Sequence, residues 1–507
     1  MRRSRFRSRF LSLLPLAACA LAPLTASAQE RLDTLSLNDA IRAALAKNYT
    51  IQAQAAGTNA SRADLSAEWG AFHPGFRATY DYTSDGSPQS ADPFTGNRPP
   101  ASVVETDAYS VGVGGVTPWG LNYTVSAYSQ NQRGTYNGFA DNYYSFAGIE
   151  LTQPLLNGFG WDANLVGVRL ARAAHNTERW AYRGAVMNIV TATINAYLEL
   201  DFAQKNLAIA RRSRDLAQGL LDENEKRFEA GSLSQADVTS ARTRVATREE
   251  AILLAARAVS IAQNNLKRLI TDEHSPALLA DTLHITSVRP LADREPNPAA
   301  EFLAALDRRP DYQQAKFNVT RADANRRYRR NQLMPRVDLV GSLGYNGLDP
   351  DFSESRDQVL DRDSRSYSLG VVFNSPITFA AERGRYRSAK FNQQQAELFL
   401  AQTEQDIVVS LGNAATDIDT ARQRVKVTND SLGLAEQALD AELKKLRAGT
   451  GSTFVVLAQQ EILAGAEISA YRAEIDFQRA LAEYNRQLGL TLEAHGISIE
   501  GDTQTSF

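Results

Sequence analysis

The residue types that most often carry out catalysis or bind metals are widely separated in this sequence. Its five histidines form neither a His-x-x-x-His nor a His-Glu-x-x-His pattern, so they do not support a catalytic zinc site. No Gly-x-x-x-x-Gly-Lys-Ser/Thr segment offers a phosphate-binding loop for a nucleotide. We therefore expect no catalytic residue, no metal site, no cofactor and no enzyme activity. The histidines are His73, His175, His274, His284 and His495.

Charged residues and cysteine narrow the classes of protein further. The chain has 55 lysines and arginines against 58 acidic residues, and no basic block follows the N-terminus, so we expect no nucleic-acid partner. Carboxylates such as Asp222, Glu223 and Glu225 fall on the flank of a predicted helix and indicate a solvated face. Cys19 is the only cysteine. Loss of the N-terminal segment would therefore exclude disulfides and thiolate metal sites.

Residues 1–28 have the layout of a secretory signal peptide. Five arginines and no acid in MRRSRFRSRF precede an apolar stretch from about Phe10 to Leu24, and the small residues Ala26-Ser27-Ala28 follow. A membrane-spanning helix needs about 20 apolar residues, whereas this stretch is shorter and contains two prolines. We expect export, with cleavage after Ala28.

A second interpretation of the same segment is lipidation. Leu16-Ala17-Ala18-Cys19 is a possible lipobox, in which Cys19 would carry the lipid. If the first helix begins about 50 Å below the bilayer, the 17 residues from Cys19 to Leu35 would reach it only when almost fully extended, at about 60 Å. We therefore favour ordinary cleavage.

Two long proline-free stretches predict long helices. Residues 155–275 and 377–507 lack proline and are rich in Ala, Leu, Gln, Arg and Glu, although the chain contains 17 prolines. Apolar residues step by 4 and 3 from Val186 to Leu200 and from Ile407 to Ala421, as in a coiled-coil seam. A helix over 160–230 would be roughly 105 Å long. That length suits a periplasm better than a globular domain.

A similar phrase interrupts each long stretch once. The phrases are Arg227–Val238 and Lys445–Val456, and each has a glycine, Gly231 or Gly449, between a basic turn and a Ser or Thr. Such a pattern is typical of one helix ending and the next beginning. The sequence therefore predicts two antiparallel helical hairpins.

The prolines indicate an internal duplication. Asn48–Pro74 parallels Arg309–Pro335 without a gap, and Pro154 and Pro376 each end a strand-like run before a long helix. Each repeat is predicted to contain a short helix, a β region, a long helix, a glycine turn and a short helix. The predicted divisions are a signal peptide (1–28), a first repeat (29–272), an equatorial linker (273–300), a second repeat (301–489) and a C-terminal tail (490–507).

Both predicted β regions, 75–153 and 336–375, alternate apolar or aromatic residues with polar ones. Examples run from Phe76 to Tyr82 and from Tyr367 to Phe373. Roughly 10-residue, tyrosine-rich strands in an exported chain fit an outer-membrane barrel. The edge of a soluble sandwich would show a similar pattern, so the strands alone do not decide between the two.

The two β regions differ in length. The prolines that bound the first are 80 residues apart and those that bound the second 41, so the first region holds 39 more residues. Two further strand-like runs, 108–116 and 121–128, surround Thr-Pro-Trp-Gly and predict a hairpin. The polar segments 85–107 and 346–364 suit loops on the extracellular side.

Together these features resemble the TolC family of outer-membrane efflux and secretion channels. The resemblance rests on the signal peptide, the duplicated halves, the strand-ending prolines and the Ala-Gly-Ser-Leu and Ala-Gly-Thr-Gly turns. It implies a mainly α fold in which coiled-coil hairpins form an α-barrel and a homotrimer shares one transmembrane β-barrel. It also implies a passive outer-membrane conduit across the periplasm, working in tripartite efflux or type I secretion. The implied partners are a periplasmic adaptor, an inner-membrane pump of RND or ABC type, and outer-membrane lipid.

The number of strands departs from the family pattern. Family barrels have two strands in each half, and therefore twelve per trimer. The 39 additional residues could add a hairpin to each chain, giving 18 strands in the trimer, or could fold as a lid or plug.

The resemblance also implies where the adaptor docks. In the family the glycine turns lie at the periplasmic tip and receive the helical hairpin of the adaptor. Glycine suits that place because it permits positive φ and close approach of another backbone. The alternative is that these residues only cap helices. The corresponding residues are Ala230, Gly231, Ser232 and Leu233 in the first turn, and Ala448, Gly449 and Thr450 in the second.

A gate at the same tip is the last implied feature. Family channels are closed there by polar links, including acidic residues after the second glycine turn, but the corresponding residues here are Val455 and Ala458. Asp237, after the first turn, keeps a carboxylate. We expect apolar closure around Phe454 and Val456, with ordinary coiled-coil packing as the alternative for those two residues.

A different class of protein remains open at this point. A periplasmic coiled-coil scaffold or a surface adhesin would share the helical pattern, provided that the β runs lie outside a membrane. The cargo, whether drug, metal, small molecule or protein, has no signature in the sequence.

Overall fold

A computed structural model describes residues 34–279, 282–287 and 293–498. The predicted signal peptide, the possible lipidation of Cys19 and the end of the predicted C-terminal tail lie outside these residues. The described part is mainly helical with one antiparallel sheet, as predicted.

The first half runs from two short helices through four strands into a long helical hairpin. Asn48 separates the two short helices, because its Oδ1 accepts the Thr50 N–H at 2.9 Å and caps the second helix. The elements are α1 (Leu37–Lys47), α2 (Tyr49–Gly70), β1 (Gly75–Ser87), β2 (Ser102–Val116), β3 (Asn122–Gly134), β4 (Tyr143–Pro154), α3 (Trp161–Asn164), α4 (Val166–Glu229) and α5 (Gln235–Ile270).

The second half repeats this order with two strands. Pro310 occupies the first position of its helix, where the missing N–H costs nothing, so the two short helices again meet at a break. The elements are a 3₁₀ turn (Pro276–Leu279), α6 (Pro298–Arg308), α7 (Pro310–Asn331), β5 (Arg336–Asp349), α8 (Phe352–Asp361), β6 (Ser364–Asn374), α9 (Ala380–Arg447), α10 (Thr453–Gln487) and α11 (Thr491–Ala494).

Matching helix lengths confirm the duplication. The two short helices have 11 and 22 residues in both halves. The long helices α4 and α9 have 64 and 68 residues, and are therefore about 95 and 100 Å long. Each turns back through a glycine into a helix of 36 or 35 residues, which makes two antiparallel hairpins.

The core lies along the seams of these hairpins. Val190, Tyr197 and Leu200 are fully buried on α4, and Ile407 and Ile418 are fully buried on α9, as their spacing predicted. The hydroxyl of Tyr197 also donates to the Leu35 carbonyl at 2.8 Å. That bond ties α4 to the start of the described chain.

All six strands form one antiparallel sheet in chain order, from β1 to β6. The additional residues of the first half provide β2 and β3, which are inserted between β1 and β4. Of the two arrangements left open by the sequence, the structure therefore has the extra hairpin. The two halves of the chain meet where β4 pairs with β5.

One face of the sheet, here called the apolar face, carries the large apolar side chains. Residues that pair with one another across all six strands form a row, and successive rows point to opposite faces of the sheet. One row on the apolar face consists of apolar and aromatic residues. The next row lies on the opposite face, here called the polar face, and consists mainly of small and polar residues. The apolar row is Phe76, Val113, Val125, Ile149, Leu343 and Tyr367. The adjacent row is Arg77, Gly112, Ser126, Gly148, Gly344 and Ser366.

Two predicted loops were wrong in extent. The polar segment 85–107 includes the ends of β1 and β2, so the connecting loop covers only 88–101, and the segment 346–364 contains the helix α8. Helix α6 begins within the predicted linker 273–300, and α11, whose Leu492 is buried, lies in the predicted C-terminal tail. Within the ranges that the structure describes, no helix has an apolar stretch long enough to cross a membrane.

Candidate functional site

Both glycine turns end their long helices with the same backbone geometry. Gly231 has φ of +75° and Gly449 has φ of +76°, in the left-handed region that glycine enters at little cost. The Gly231 N–H donates to the Phe228 carbonyl at 2.9 Å, and the Ser232 N–H donates to the Arg227 carbonyl at 2.9 Å. These two bonds form a Schellman motif, which satisfies the last carbonyl groups of α4.

The second turn reproduces this arrangement. The Gly449 N–H donates to the Leu446 carbonyl at 3.1 Å, and the Thr450 N–H donates to the Lys445 carbonyl at 3.0 Å. The Thr450 hydroxyl reaches the same Lys445 carbonyl at 3.2 Å. Basic side chains in the last turn of each long helix also favour the negative end of the helix dipole.

The predicted docking residues lie at the tips of the two hairpins, and all except Leu233 are exposed. Leu233 is half-buried against the first hairpin, in contact with the cluster that contains Val238 and Ala241. A Cβ added to Gly231 or Gly449 would meet no atom within 4 Å. The space in front of both turns is therefore open to a partner.

Asp237 has a structural role at the first tip. Its Oδ2 accepts the Ser234 hydroxyl at 2.6 Å and the Ser234 N–H at 3.3 Å, while the Asp237 N–H donates back to Ser234 Oγ. This is a capping box at the start of α5. The carboxylate that the sequence assigned to a gate is thus already hydrogen-bonded within its own turn.

The other predicted gate residues divide into two groups. Val456 is fully buried in a cluster with Leu220 and Leu446, which is coiled-coil packing. Phe454 is 62% exposed and Val455 lies beside it at the surface, whereas Ala458 is half-buried. Phe454 is therefore the large apolar side chain that the second tip offers to solvent.

Contacts between the two hairpins form a feature that the sequence did not reveal. The Tyr471 hydroxyl of α10 donates to the Asp201 carboxylate of α4 at 2.6 Å. Arg472 and Arg479 of α10 both donate to Glu199 of α4, Arg472 at 3.0 Å. These partners are more than 260 residues apart in the chain, so no local pattern could have linked them.

The same interface continues towards the tips. Arg212 of α4 pairs with Glu467 of α10. Nearer the tip, Glu461 of α10 lies 3.7 Å from Arg244 and 3.6 Å from Arg248, both on α5. The Arg244 guanidinium also lies 5.2 Å from the centre of the Phe454 ring. A ladder of polar contacts therefore joins α10 to the first hairpin.

Glu199 is the charged centre of this ladder. Burial by itself raises the pKa of its carboxyl, but hydrogen bonds from Arg479 and Arg472 lower the pKa overall, below its ordinary value of 4.5. The carboxylate is therefore ionised at neutral pH and holds two arginines of the neighbouring helix.

Two surfaces have no partner within the part of the chain that the structure describes. On α9, Phe391, Leu398, Val427 and Leu434 are between 63% and 66% exposed, and on α5 Leu253 is 71% exposed. Among the described strands, β1 and β6 lie at the edges of the sheet and each pairs with one neighbour. Exposed apolar helix faces and open sheet edges both indicate contact with further copies of a chain.

In the described part of the chain, no three side chains of His, Cys, Asp or Glu lie close enough together to hold a metal ion. The candidate functional features are instead two surfaces. One is formed by the two exposed helical tips at one end of the chain, and the other is the apolar face of the sheet at the opposite end.

A family model described as "Outer membrane efflux protein" matches residues 120–271 and 303–490. The proteins that are similar to this chain in sequence include two outer-membrane proteins. The outer membrane efflux protein BepC of Brucella suis is 24% identical over 65% of this chain and 68% of its own length. The outer membrane protein TolC of Escherichia coli is 24% identical over 73% of this chain and 74% of its own length.

Solved structures share the fold. The outer membrane channel CmeC of Campylobacter jejuni aligns with a TM-score of 0.65 and 14% identity, covering 90% of this chain and 86% of its own. The outer membrane protein VceC of Vibrio cholerae aligns with a TM-score of 0.63 and 18% identity, covering 92% of this chain and 97% of its own.

Proposed function

The chain belongs to the outer membrane efflux protein family, the family of TolC, and on that premise we propose that it is the outer-membrane subunit of a tripartite exporter. It is an outer-membrane channel protein that extends into the periplasm, and its family is one of efflux conduits. The finer assignment is a passive homotrimeric conduit. A periplasmic adaptor connects it to an inner-membrane pump, which supplies the energy.

The observation that carries this proposal is the six-stranded sheet with two open edges and one apolar face. An edge inside hydrocarbon would leave backbone N–H and C=O groups unpaired, at several kcal/mol each. Because the strand number is even, β6 of one copy runs antiparallel to β1 of the next. Three copies then close an 18-stranded barrel, in which the apolar faces contact lipid and the polar faces line the pore.

A periplasmic scaffold or adhesin, the other function considered, fits this sheet poorly. Its apolar face would lie in water, with Phe76 75% exposed and Leu369 78% exposed. Exposed apolar side chains that share one face mark contact with a membrane or a partner. Recovery of the protein from the soluble periplasmic fraction would favour the scaffold instead.

The hairpin tips are the docking site in this proposal. Support comes from the exposed, paired Schellman turns and from the open space in front of Gly231 and Gly449. A photoreactive amino acid at Ser232 or Thr450, both exposed, should capture an adaptor in living cells. Ser388, exposed near the start of α9 and about 90 Å from the tip along the helix, is the matched control. Equal capture from Ser388 would contradict docking at the tips.

The gate in this proposal is apolar. Phe454 and Val455 are exposed at the tip, with Ala458 beside them, whereas Asp237 and Val456 have structural partners within the chain. Closure by three copies of Phe454 would need no ring of carboxylates. The Phe454→Ala variant should then conduct more readily than the wild type, and Leu216→Ala, at an exposed position of α4, should not. Unchanged conductance of Phe454→Ala would contradict an apolar gate.

The channel itself is tested in a planar bilayer. Protein purified from the outer membrane in detergent should have the mass of a trimer by light scattering, and should conduct ions after reconstitution. A stable monomer without conductance would contradict the proposal.

A further inference from the structure

The short helix α8 lies on the apolar face of the sheet, at the end opposite to the long helices. The Ser355 side chain, which is fully buried, donates to Ser145 Oγ at 2.9 Å, and Ser145 in turn lies 2.9 Å from Ser129 Oγ. A Cβ on Gly347 would lie 1.9 Å from the Ser355 carbonyl oxygen. Glycine is therefore needed for the helix to approach so closely.

The position of α8 defines its surroundings in a membrane. Pro154 and Asn374 end their strands next to the long helices, whereas α8 joins β5 to β6 at the other end. If the helices point into the periplasm, as in the proposed function, α8 lies at the outer leaflet. It stands on the face that meets lipid rather than inside the pore.

A groove of about 620 Å³ runs between α8 and the apolar face. Val111, Ala127 and Ala147 form its floor, and Phe352 and Leu360 of α8 form part of its wall. This volume falls within the range of ordinary ligand sites, which is about 300–1,000 Å³. Since the walls are apolar and the floor belongs to the lipid-facing surface, a hydrocarbon chain is the ligand that reaches it.

Arg356 is the arginine among the residues that line the groove. Its side chain is about half-exposed, and its Nε and one Nη donate to Asp357 Oδ1 at 2.9 and 2.7 Å. A guanidinium has five N–H donors and binds phosphate with paired hydrogen bonds, so the remaining donors of Arg356 can bind a phosphorylated headgroup at the edge of the groove.

Assembly of a trimer would leave the groove open. Its floor is formed by β2, β3 and β4, whereas neighbouring copies join at β1 and β6. The groove therefore remains available on the outer wall of the barrel.

We propose that the groove between α8 and the apolar face binds one acyl chain of a phosphorylated outer-leaflet glycolipid, whose phosphate is held by Arg356. The proposal rests on the proposed function, because that function sets the orientation of the sheet. Bound lipid would fasten α8 to the barrel wall at the membrane surface.

Native mass spectrometry of the full trimer with added diphosphoryl lipid A tests the site. The wild type should retain one lipid A per protomer, and a phosphate-free glycolipid of equal chain length should bind more weakly. Arg356→Gln should weaken lipid A binding about tenfold, as expected for loss of charge-assisted hydrogen bonds. Ala127→Phe should abolish retention by filling the groove. Leu369→Phe, on the same face outside the groove, and Arg77→Gln, on the polar face, are the matched controls.

Equal retention by Arg356→Gln and Ala127→Phe, or equal binding of the phosphate-free glycolipid, would overturn the lipid site. Conductance of the same samples separates this result from the channel proposal. A wild-type trimer that conducts but retains no lipid A would overturn the lipid site alone. A wild-type protein that neither forms a trimer nor conducts would instead contradict the proposed function.

Discussion

Gly231 and Gly449 each end a helix about 100 Å long with a single left-handed residue. Their position could be predicted from the sequence, because a glycine after a basic helical turn and before Ser or Thr has few other uses. The sequence could not show whether the turns were also open to a partner. In the structure they are open, since a Cβ at either glycine would have no neighbouring atom within 4 Å.

Replacing Gly231 with alanine should destabilise the tip by about 1 kcal/mol, because a Cβ disfavours positive φ. Gly465→Ala, in the exposed interior of α10, should instead stabilise by roughly 0.5–1 kcal/mol. Thermal unfolding of the purified protein measures both. Equal effects of the two substitutions would mean that the positive φ at Gly231 is not a constraint.

A substitution at Asp237 distinguishes a capping role of this carboxylate from a gating role. Asp237→Asn removes the charge and should weaken the capping box by about 1 kcal/mol. Cation selectivity, measured as the reversal potential in a salt gradient, should stay unchanged, because in this account Asp237 caps α5 rather than lining the ion path. A marked loss of cation selectivity would show that Asp237 faces the ion path after all.

At the scale of helices and strands, the contacts of α10 with α4 hold the two hairpins of one chain together. The lowered pKa of Glu199 means that its stabilising effect is complete above about pH 4.5 and is lost as the pH falls through the folded pKa. The protection factors of amide hydrogens in α10 near Arg472 and Arg479, which correct for the intrinsic pH dependence of exchange, should therefore fall in acid. Glu199→Gln should lower these protection factors at neutral pH and make them depend less on pH, whereas Glu229→Gln, at the exposed end of α4, should do neither. Identical pH dependence in both variants would contradict this role.

Substitutions of two adjacent residues in β6 test which face of the sheet contacts lipid. Leu369 lies on the apolar face and Ser368 on the polar face. Leu369→Arg should destabilise the membrane-inserted form by about 2–4 kcal/mol, whereas Ser368→Arg should be tolerated and favour anions. Urea unfolding from vesicles and reversal potentials measure the two effects. Equal tolerance of both arginines would mean that the apolar face does not meet lipid.

The elements differ in how far the sequence could predict them. Proline-free stretches and alternating tyrosines indicated the hairpins and strands, because each pattern extends over many residues. Helix α8 was missed because its 10 residues are mostly polar and carry few apolar positions, so local periodicity is weak. It forms against Gly347 and Ser145, which are strand residues that no helical pattern reports.

At the scale of the whole molecule, one chain is an incomplete object. As far as the structure describes the chain, its sheet has open edges at β1 and β6, and apolar residues such as Phe391 and Leu434 of α9 face solvent. If copies of the chain pack around a common axis, the sheet edges pair with one another and the exposed apolar residues of the helices are buried between copies. In the proposed function, the assembly rather than the single chain is therefore the unit that crosses the membrane and the periplasm.

Electron cryomicroscopy of the assembly purified in detergent counts the strands around the pore, and so tests whether several chains share one barrel. We predict three copies and 18 strands in one closed barrel, with β6 of each copy paired to β1 of the next. A single copy whose sheet closes on itself, or a barrel of twelve strands with β2 and β3 outside the wall, would contradict the shared 18-stranded barrel.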